Sequence, residues 1–181
     1  MNDERQKFGM PLDDFVLPRV SGGSVSLSRS MEGKKGAIVV FWSSVCSHCV
    51  RYDAYLNKFA ARYPELLFLA VASRQGEKVG GIQKAAADRG LTFPILHDAE
   101  GAVAAGWFTQ QTPRAFLMDE KRALLYRGAI DNFKYPEDPE FVSYLDPAVG
   151  QFLRGEPISK PETASFGCAI QTVYYNLPRT L

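Results

Sequence analysis

The residues able to do chemistry gather in one tetrapeptide, Cys46-Ser47-His48-Cys49, and a third cysteine, Cys168, stands far downstream. Disulfide exchange needs a thiolate that attacks and a second thiol close enough to resolve the mixed disulfide. Cysteines three positions apart on the opening turn of a helix meet both demands. The first sits where unpaired N–H groups and the macrodipole favour negative charge, and the second lies a turn deeper. Cys46 is therefore expected as the attacking thiolate and Cys49 as the resolving thiol. His48, by charge or hydrogen bonding, would favour the thiolate and make the pair more oxidising than one with proline at that position. The alternative is a solvated histidine of little influence.

The same spacing is half of a zinc site, but a second pair of ligands is missing. Cys168, His48 and His97 are not suitably paired along the chain, so neither a metal nor a cofactor is expected. His97, beside Asp98 at a strand end, reads as a surface histidine. Three cysteines are also too few for a disulfide scaffold.

The elements that must position the pair are legible as periodicities. Residues 1–10 read as a disordered N-terminus, residues 11–155 as one α/β domain, and residues 156–181 as an irregular tail carrying Cys168. Two short extended pieces around Ser21-Gly22-Gly23-Ser24 suggest an N-terminal β-hairpin. Ala37 to Trp42 is a continuous apolar run, hence a strand buried on both faces. Ser43 and Ser44 follow as helix-start residues, and Tyr52, Tyr55, Leu56, Phe59 and Tyr63 recur at helical spacing until Pro64. A second buried strand is expected over Leu66 to Ala72, a helix over Glu77 to Arg89, a strand over Thr92 to Leu96 and a short helix over Ala99 to Trp107. Ala115 to Met118 and Leu124 to Tyr126 read as a hairpin. Asp131 to Pro139 reads as a loop, and Phe141 to Leu153 as a closing helix interrupted near Pro147. This order implies a central mixed β-sheet flanked by helices. Right-handed crossovers then put the cysteine pair at the carboxyl edge of a central strand.

With the elements in place, the segment Phe41-Trp42-Ser43-Ser44-Val45-Cys46-Ser47-His48-Cys49 resembles the Phe-Trp-Ala-x-Trp-Cys-x-x-Cys signature of TlpA/ResA-like thioredoxins and the broader redoxin (AhpC/TSA-like) group. Asp14-Phe15-Val16-Leu17-Pro18 is similar to that group's N-terminal hairpin, and Thr112-Pro113, Ala115-Phe116-Leu117-Met118-Asp119 and Tyr126-Arg127-Gly128 to its cis-proline strand and hairpin. The resemblance covers about residues 11–131. It implies a thioredoxin-like fold, a thiol–disulfide oxidoreductase acting on protein thiols, and a cis peptide between Thr112 and Pro113. The Thr112 backbone would pair with an extended substrate, with Trp42 supporting the active-site loop beside it. Val45 stands in place of the usual tryptophan. Val40 stands where thioredoxins carry a buried aspartate that helps deprotonate the second cysteine. The tail's Thr163, Gly167, Cys168 and Ile170 follow a pattern similar to some redoxin-domain tails. Cys168 is open to three roles: a third redox thiol, a metal ligand, or an inert packed cysteine.

Two other activities fit parts of the pattern. Ser43, three before Cys46, matches a peroxiredoxin hydroxyl, but Val39 replaces that family's proline and Arg127 is a weak candidate for its arginine. Copper handling through Cys46, Cys49 and a histidine suits soft thiolates. The cytochrome oxidase assembly proteins that work this way, however, place three residues between their cysteines. Charge narrows the partners: 21 Lys and Arg against 20 Asp and Glu leave a net charge of +1, no basis for a nucleic-acid or acidic-membrane partner. Arg51, Lys58 and Arg62 read as a solvated helix face, and a monomer is expected. No stretch reaches the roughly 20 apolar residues of a membrane span. The polar residues 1–9 give a cytoplasmic expectation, or an extracytoplasmic one where a leader or anchor has been removed.

Overall fold

The apolar run Gly36–Trp42 is buried along its whole length and lies in the middle of a five-stranded sheet. A computed structural model describes residues 7–170. In chain order its elements are β1 (Val16–Pro18), β2 (Ser24–Ser26), α1 (Leu27–Ser30), β3 (Gly36–Trp42), α2 (Ser47–Val50), α3 (Asp53–Arg62), β4 (Leu66–Ala72), α4 (Val79–Asp88), β5 (Ile95–His97), α5 (Ala102–Gly106), β6 (Gln111–Thr112), β7 (Arg114–Asp119), β8 (Leu124–Gly128), α6 (Leu145–Leu153) and β9 (Cys168–Ala169). The sheet order is β5-β4-β3-β7-β8, with β5, β4 and β3 parallel and β7 and β8 antiparallel to their neighbours. β1 and β2 form the expected hairpin.

Alternation along β3 divides its side chains between two cores. Ile38, Val40 and Trp42 pack with Leu56, Phe59, Ile82 and Leu145 on one face. Ala37, Val39 and Phe41 pack with Leu12, Phe15, Leu27 and Trp107 on the other. This two-sided burial explains why the strand reads as an unbroken apolar run. Because β3 is parallel to β4, its carboxyl end must leave through a helix-bearing crossover, and the cysteine pair lies at that exit. The start of β7 lies alongside, with Phe41 opposite Arg114, so Pro113 falls next to the same exit.

Several elements differ from the sequence expectation. The first long helix is broken, with a turn at Arg51–Tyr52 between α2 and α3. Tyr52 is drawn away to hydrogen-bond Asp131, and Arg51 stacks over Phe133 and Tyr135 and donates to the Lys134 carbonyl. The third strand is β5, shorter than residues 92–96 suggested. The closing helix starts at Leu145, because Phe141–Tyr144 runs antiparallel to Ile130–Asn132 instead. Pro147 does not interrupt that helix: it lies in the first turn, where a missing N–H leaves no intrahelical bond unmade. At the N-terminus, residues 1–6 lie outside the described part. Residues 7–10 are not loose: Gly9 donates to the Leu124 carbonyl and Leu124 to that of Met10, each at 2.9 Å. Among the described residues no helix is long and apolar enough to cross a membrane.

Candidate active site

Cys46 caps the amino end of α2 and Cys49 follows one turn on, so the side chains meet over a short span. Both thiols are free and 0% exposed. The loop ahead of them is fixed from beneath. Ser44 N–H donates to Glu77 at 2.5 Å, Arg89 donates to the Ser44 carbonyl, and Val45 N–H reaches Ser43 Oγ at 3.3 Å. Opposite, the Thr112–Pro113 peptide is cis, and the Thr112 carbonyl oxygen lies 3.3 Å from Cys46 Sγ.

The two cysteines are electrostatically unequal. The Cys49 thiol, hydrogen-bonding to the Cys46 sulfur, is the largest influence on Cys46. With the side chains of Cys168 and Thr112 it outweighs burial and lowers the Cys46 pKa from 9.0 to about 3. Cys49 moves the other way: burial first, then the bond and charge of Cys46, push its thiol well above the ordinary range. The sequence expected a helix macrodipole to stabilise the thiolate; α2 has only 4 residues, and what lowers the Cys46 pKa is hydrogen bonding from Cys49, Cys168 and Thr112.

The tail is the feature that sequence reading left open. Instead of an irregular excursion, residues 161–170 cross β8 and return over the proline loop. Arg127 N–H donates to the Pro161 carbonyl, Thr163 N–H to the Arg127 carbonyl, and Ala129 N–H to Thr163 Oγ1. β9 then pairs antiparallel with β6, Thr112 opposite Cys168. Cys168 Sγ lies 3.6 Å from His48 Nδ1, and ligand atoms of Cys46, His48 and Cys168 all fall within 4.8 Å of one another.

The sequence-expected residues Cys46, Cys49, His48, Thr112, Pro113 and Cys168 are thus brought together, while Trp42, His97 and Arg127 take other places. Trp42, expected beside the substrate, is 0% exposed; its indole donates to Asp53 at 3.1 Å and Arg89 lies over its ring. It supports the loop from below, as the sequence reading also had it, and offers no surface to a substrate. His48 presents its imidazole to Cys168 and packs on Phe133 at 5.0 Å. His97 is a loop anchor more than a surface histidine, its Nε2 lying 2.9 Å from the Glu77 carbonyl. Arg127, weighed as a peroxidatic arginine, pairs with Glu162 of the tail at 2.8 Å and lies over the Phe8 ring.

The clustered ligand atoms differ from the copper set weighed in the sequence, with Cys168 in place of Cys49. Two thiol sulfurs and one imidazole from Cys46, His48 and Cys168 form a donor set for a soft cation, which linear spacing could not reveal. Sequence reasoning missed Asp131, Phe133 and Gly167, all on segments that read as loop or tail. For Gly167 the signal was the Gly-Cys dipeptide: a Cβ there would stand 1.8 Å from the Thr112 oxygen, so only glycine allows the close approach.

Comparison with known proteins agrees with this architecture. The chain is 32% identical over 112 residues to thiol-disulfide oxidoreductase ResA of Geobacillus kaustophilus, a match spanning 62% of this chain and 63% of that protein. A hypothetical protein from Sinorhizobium meliloti 1021 superposes with a TM-score of 0.82 at 29% identity, over 92% of this chain and 94% of its own. A secreted disulfide oxidoreductase of Mycobacterium tuberculosis shares the fold, with a TM-score of 0.57 at 22% identity over 77% of this chain and 95% of its own. The Redoxin sequence profile matches residues 7–145, and the chain belongs to the Redoxin family.

Proposed function

We propose that this chain is a thiol–disulfide oxidoreductase acting on protein thiols, with Cys46 as the attacking sulfur and Cys49 as the resolving one. One arrangement carries the reading: two free, buried thiols one helical turn apart lie opposite the cis Thr112–Pro113 peptide, whose carbonyl is 3.3 Å from Cys46 Sγ, with Cys46 pushed toward thiolate and Cys49 toward thiol. An attacking sulfur must be ionised, whereas a resolving sulfur must stay protonated until the mixed disulfide has formed. Pro113 and Thr112 supply the edge against which an extended partner pairs. The name of the Geobacillus relative supports the same chemistry.

The test equilibrates the chain with glutathione buffers and reads the Cys46–Cys49 bond by thiol trapping and peptide mass mapping. A single two-electron transition is expected, at a potential above the about −270 mV of a strong reductase, because a stabilised thiolate favours the reduced pair. The transition disappears in Cys46→Ser and Cys49→Ser. A chain that stays fully reduced across the series overturns the reading.

A second reading rests on the three ligand atoms within 4.8 Å: delivery of a soft monovalent cation such as Cu(I). Anaerobic Cu(I) titration separates the two. Stoichiometric binding lost in His48→Ala and Cys168→Ser favours metal handling, and no binding dismisses it.

A further inference from the structure

Cys46 is sealed, and the chain's own tail seals it. The carbonyl that touches Cys46 Sγ belongs to Thr112, and Thr112 is the residue paired with Cys168 across β6 and β9. The strand edge suited to an incoming partner therefore already carries an antiparallel strand with a cysteine in the register position facing Cys46. Several independent contacts hold that strand. Ile170, 3% exposed, packs into the core on the Phe41 face, and its N–H donates to the Gln110 carbonyl at 2.8 Å. Gly167 lets the tail approach Thr112 more closely than any side chain permits. Upstream, Glu162 pairs with Arg127, and Thr163 sits against Gly128, where a Cβ would meet Thr163 Oγ1 at 2.1 Å.

We propose that Cys168 is an internal substrate of the Cys46–Cys49 pair, exchanging into a Cys46–Cys168 disulfide. An external partner must then displace β9 before it can reach Cys46. This inference rests on the oxidoreductase reading above. Starting from the Cys46–Cys49 disulfide supplied by that activity, Cys168 gives its proton to the His48 imidazole and attacks Cys46 Sγ. The Cys46–Cys49 bond breaks, and Cys49 leaves as a thiolate and takes up the proton. One disulfide replaces another and no electrons leave the chain, so no further oxidant is needed. With all three thiols free the Cys46 and Cys168 sulfurs lie within 4.8 Å, and closing to the roughly 2.05 Å of a disulfide needs side-chain rotation and a small shift of β9.

The experiment oxidises the full chain with glutathione disulfide, quenches with acid, and maps disulfides by mass spectrometry in wild type, Cys49→Ser and Cys168→Ser. Expected are a Cys46–Cys49 bond in wild type and Cys168→Ser, and a Cys46–Cys168 bond in Cys49→Ser. A Cys49→Ser chain that holds glutathione on Cys46 without joining Cys168 overturns the inference and leaves the oxidoreductase reading standing. Absence of the Cys46–Cys49 bond from both wild type and Cys168→Ser overturns that reading and the inference with it. A second variant, Gly167→Ala, forces β9 off the Thr112 carbonyl without touching a cysteine. Iodoacetamide should then modify Cys46 about tenfold faster than in wild type, equivalent to about 1.4 kcal/mol of lost closure. An unchanged rate shows that the tail does not guard the sulfur and overturns the displacement step.

Discussion

A sulfur ionised at neutral pH inside a closed site owes its charge to its neighbours. The Cys49 thiol is the largest contributor, so Cys49→Ala should raise the Cys46 pKa from about 3, and Cys49→Ser, which still offers a donor, should raise it less. Thiolate ultraviolet absorbance against pH reads both, and identical midpoints in the two variants would refute the account. The shift also has a sign in stability. With a folded pKa below the unfolded value, Cys46 stabilises the reduced chain fully above pH 9.0 and loses that contribution as pH falls toward about 3. Cys49, shifted upward, stabilises below its unfolded pKa and loses this as pH rises through its folded one. The attacking residue was legible from its position before a helix; the source of its acidity was not, because it lies in side-chain hydrogen bonds that spacing does not encode. Cys168, 119 residues beyond Cys49 in sequence, joins the site only through the fold.

At the scale of elements, the break between α2 and α3 ties the cysteine turn to the loop after β8. Tyr52 OH donates to the buried Asp131 carboxylate at 2.5 Å, which also accepts from Phe133 N–H at 2.7 Å. Tyr52→Phe leaves that carboxylate short of one partner and should destabilise the fold by about 1–3 kcal/mol, read by urea unfolding. A variant as stable as wild type would show that the anchor is dispensable. The strands were the most legible elements, since β3 and β4, buried on both faces, declare themselves as apolar runs. The helix break was not legible: the aromatic spacing from Tyr52 to Tyr63 is helical, and what ends α2 is a competing contact from a segment about 80 residues away. Likewise, Phe141–Tyr144 has helix-compatible composition but satisfies its backbone against Ile130–Asn132.

Over the whole molecule, the Redoxin domain and its tail differ in how they are held. β3 is secured by strands on both sides and two cores, whereas residues 161–170 rest on a handful of hydrogen bonds and the Ile170 anchor. Native-state hydrogen exchange should therefore show the Thr163 and Ile170 amides opening in a separate, lower-energy step than those of β3. Ile170→Ala should accelerate only the tail amides; uniform acceleration would mean that tail and domain unfold as one unit. Because β9 belongs to the same polypeptide, diluting the protein does not weaken its hold on β6. A visiting chain competes against a tethered rival present at an effective concentration on the order of millimolar. Selectivity then falls to partners that bring more than a strand, namely extra contacts around exposed Val45 and Phe166, while small peptides carrying only a suitable cysteine are turned away.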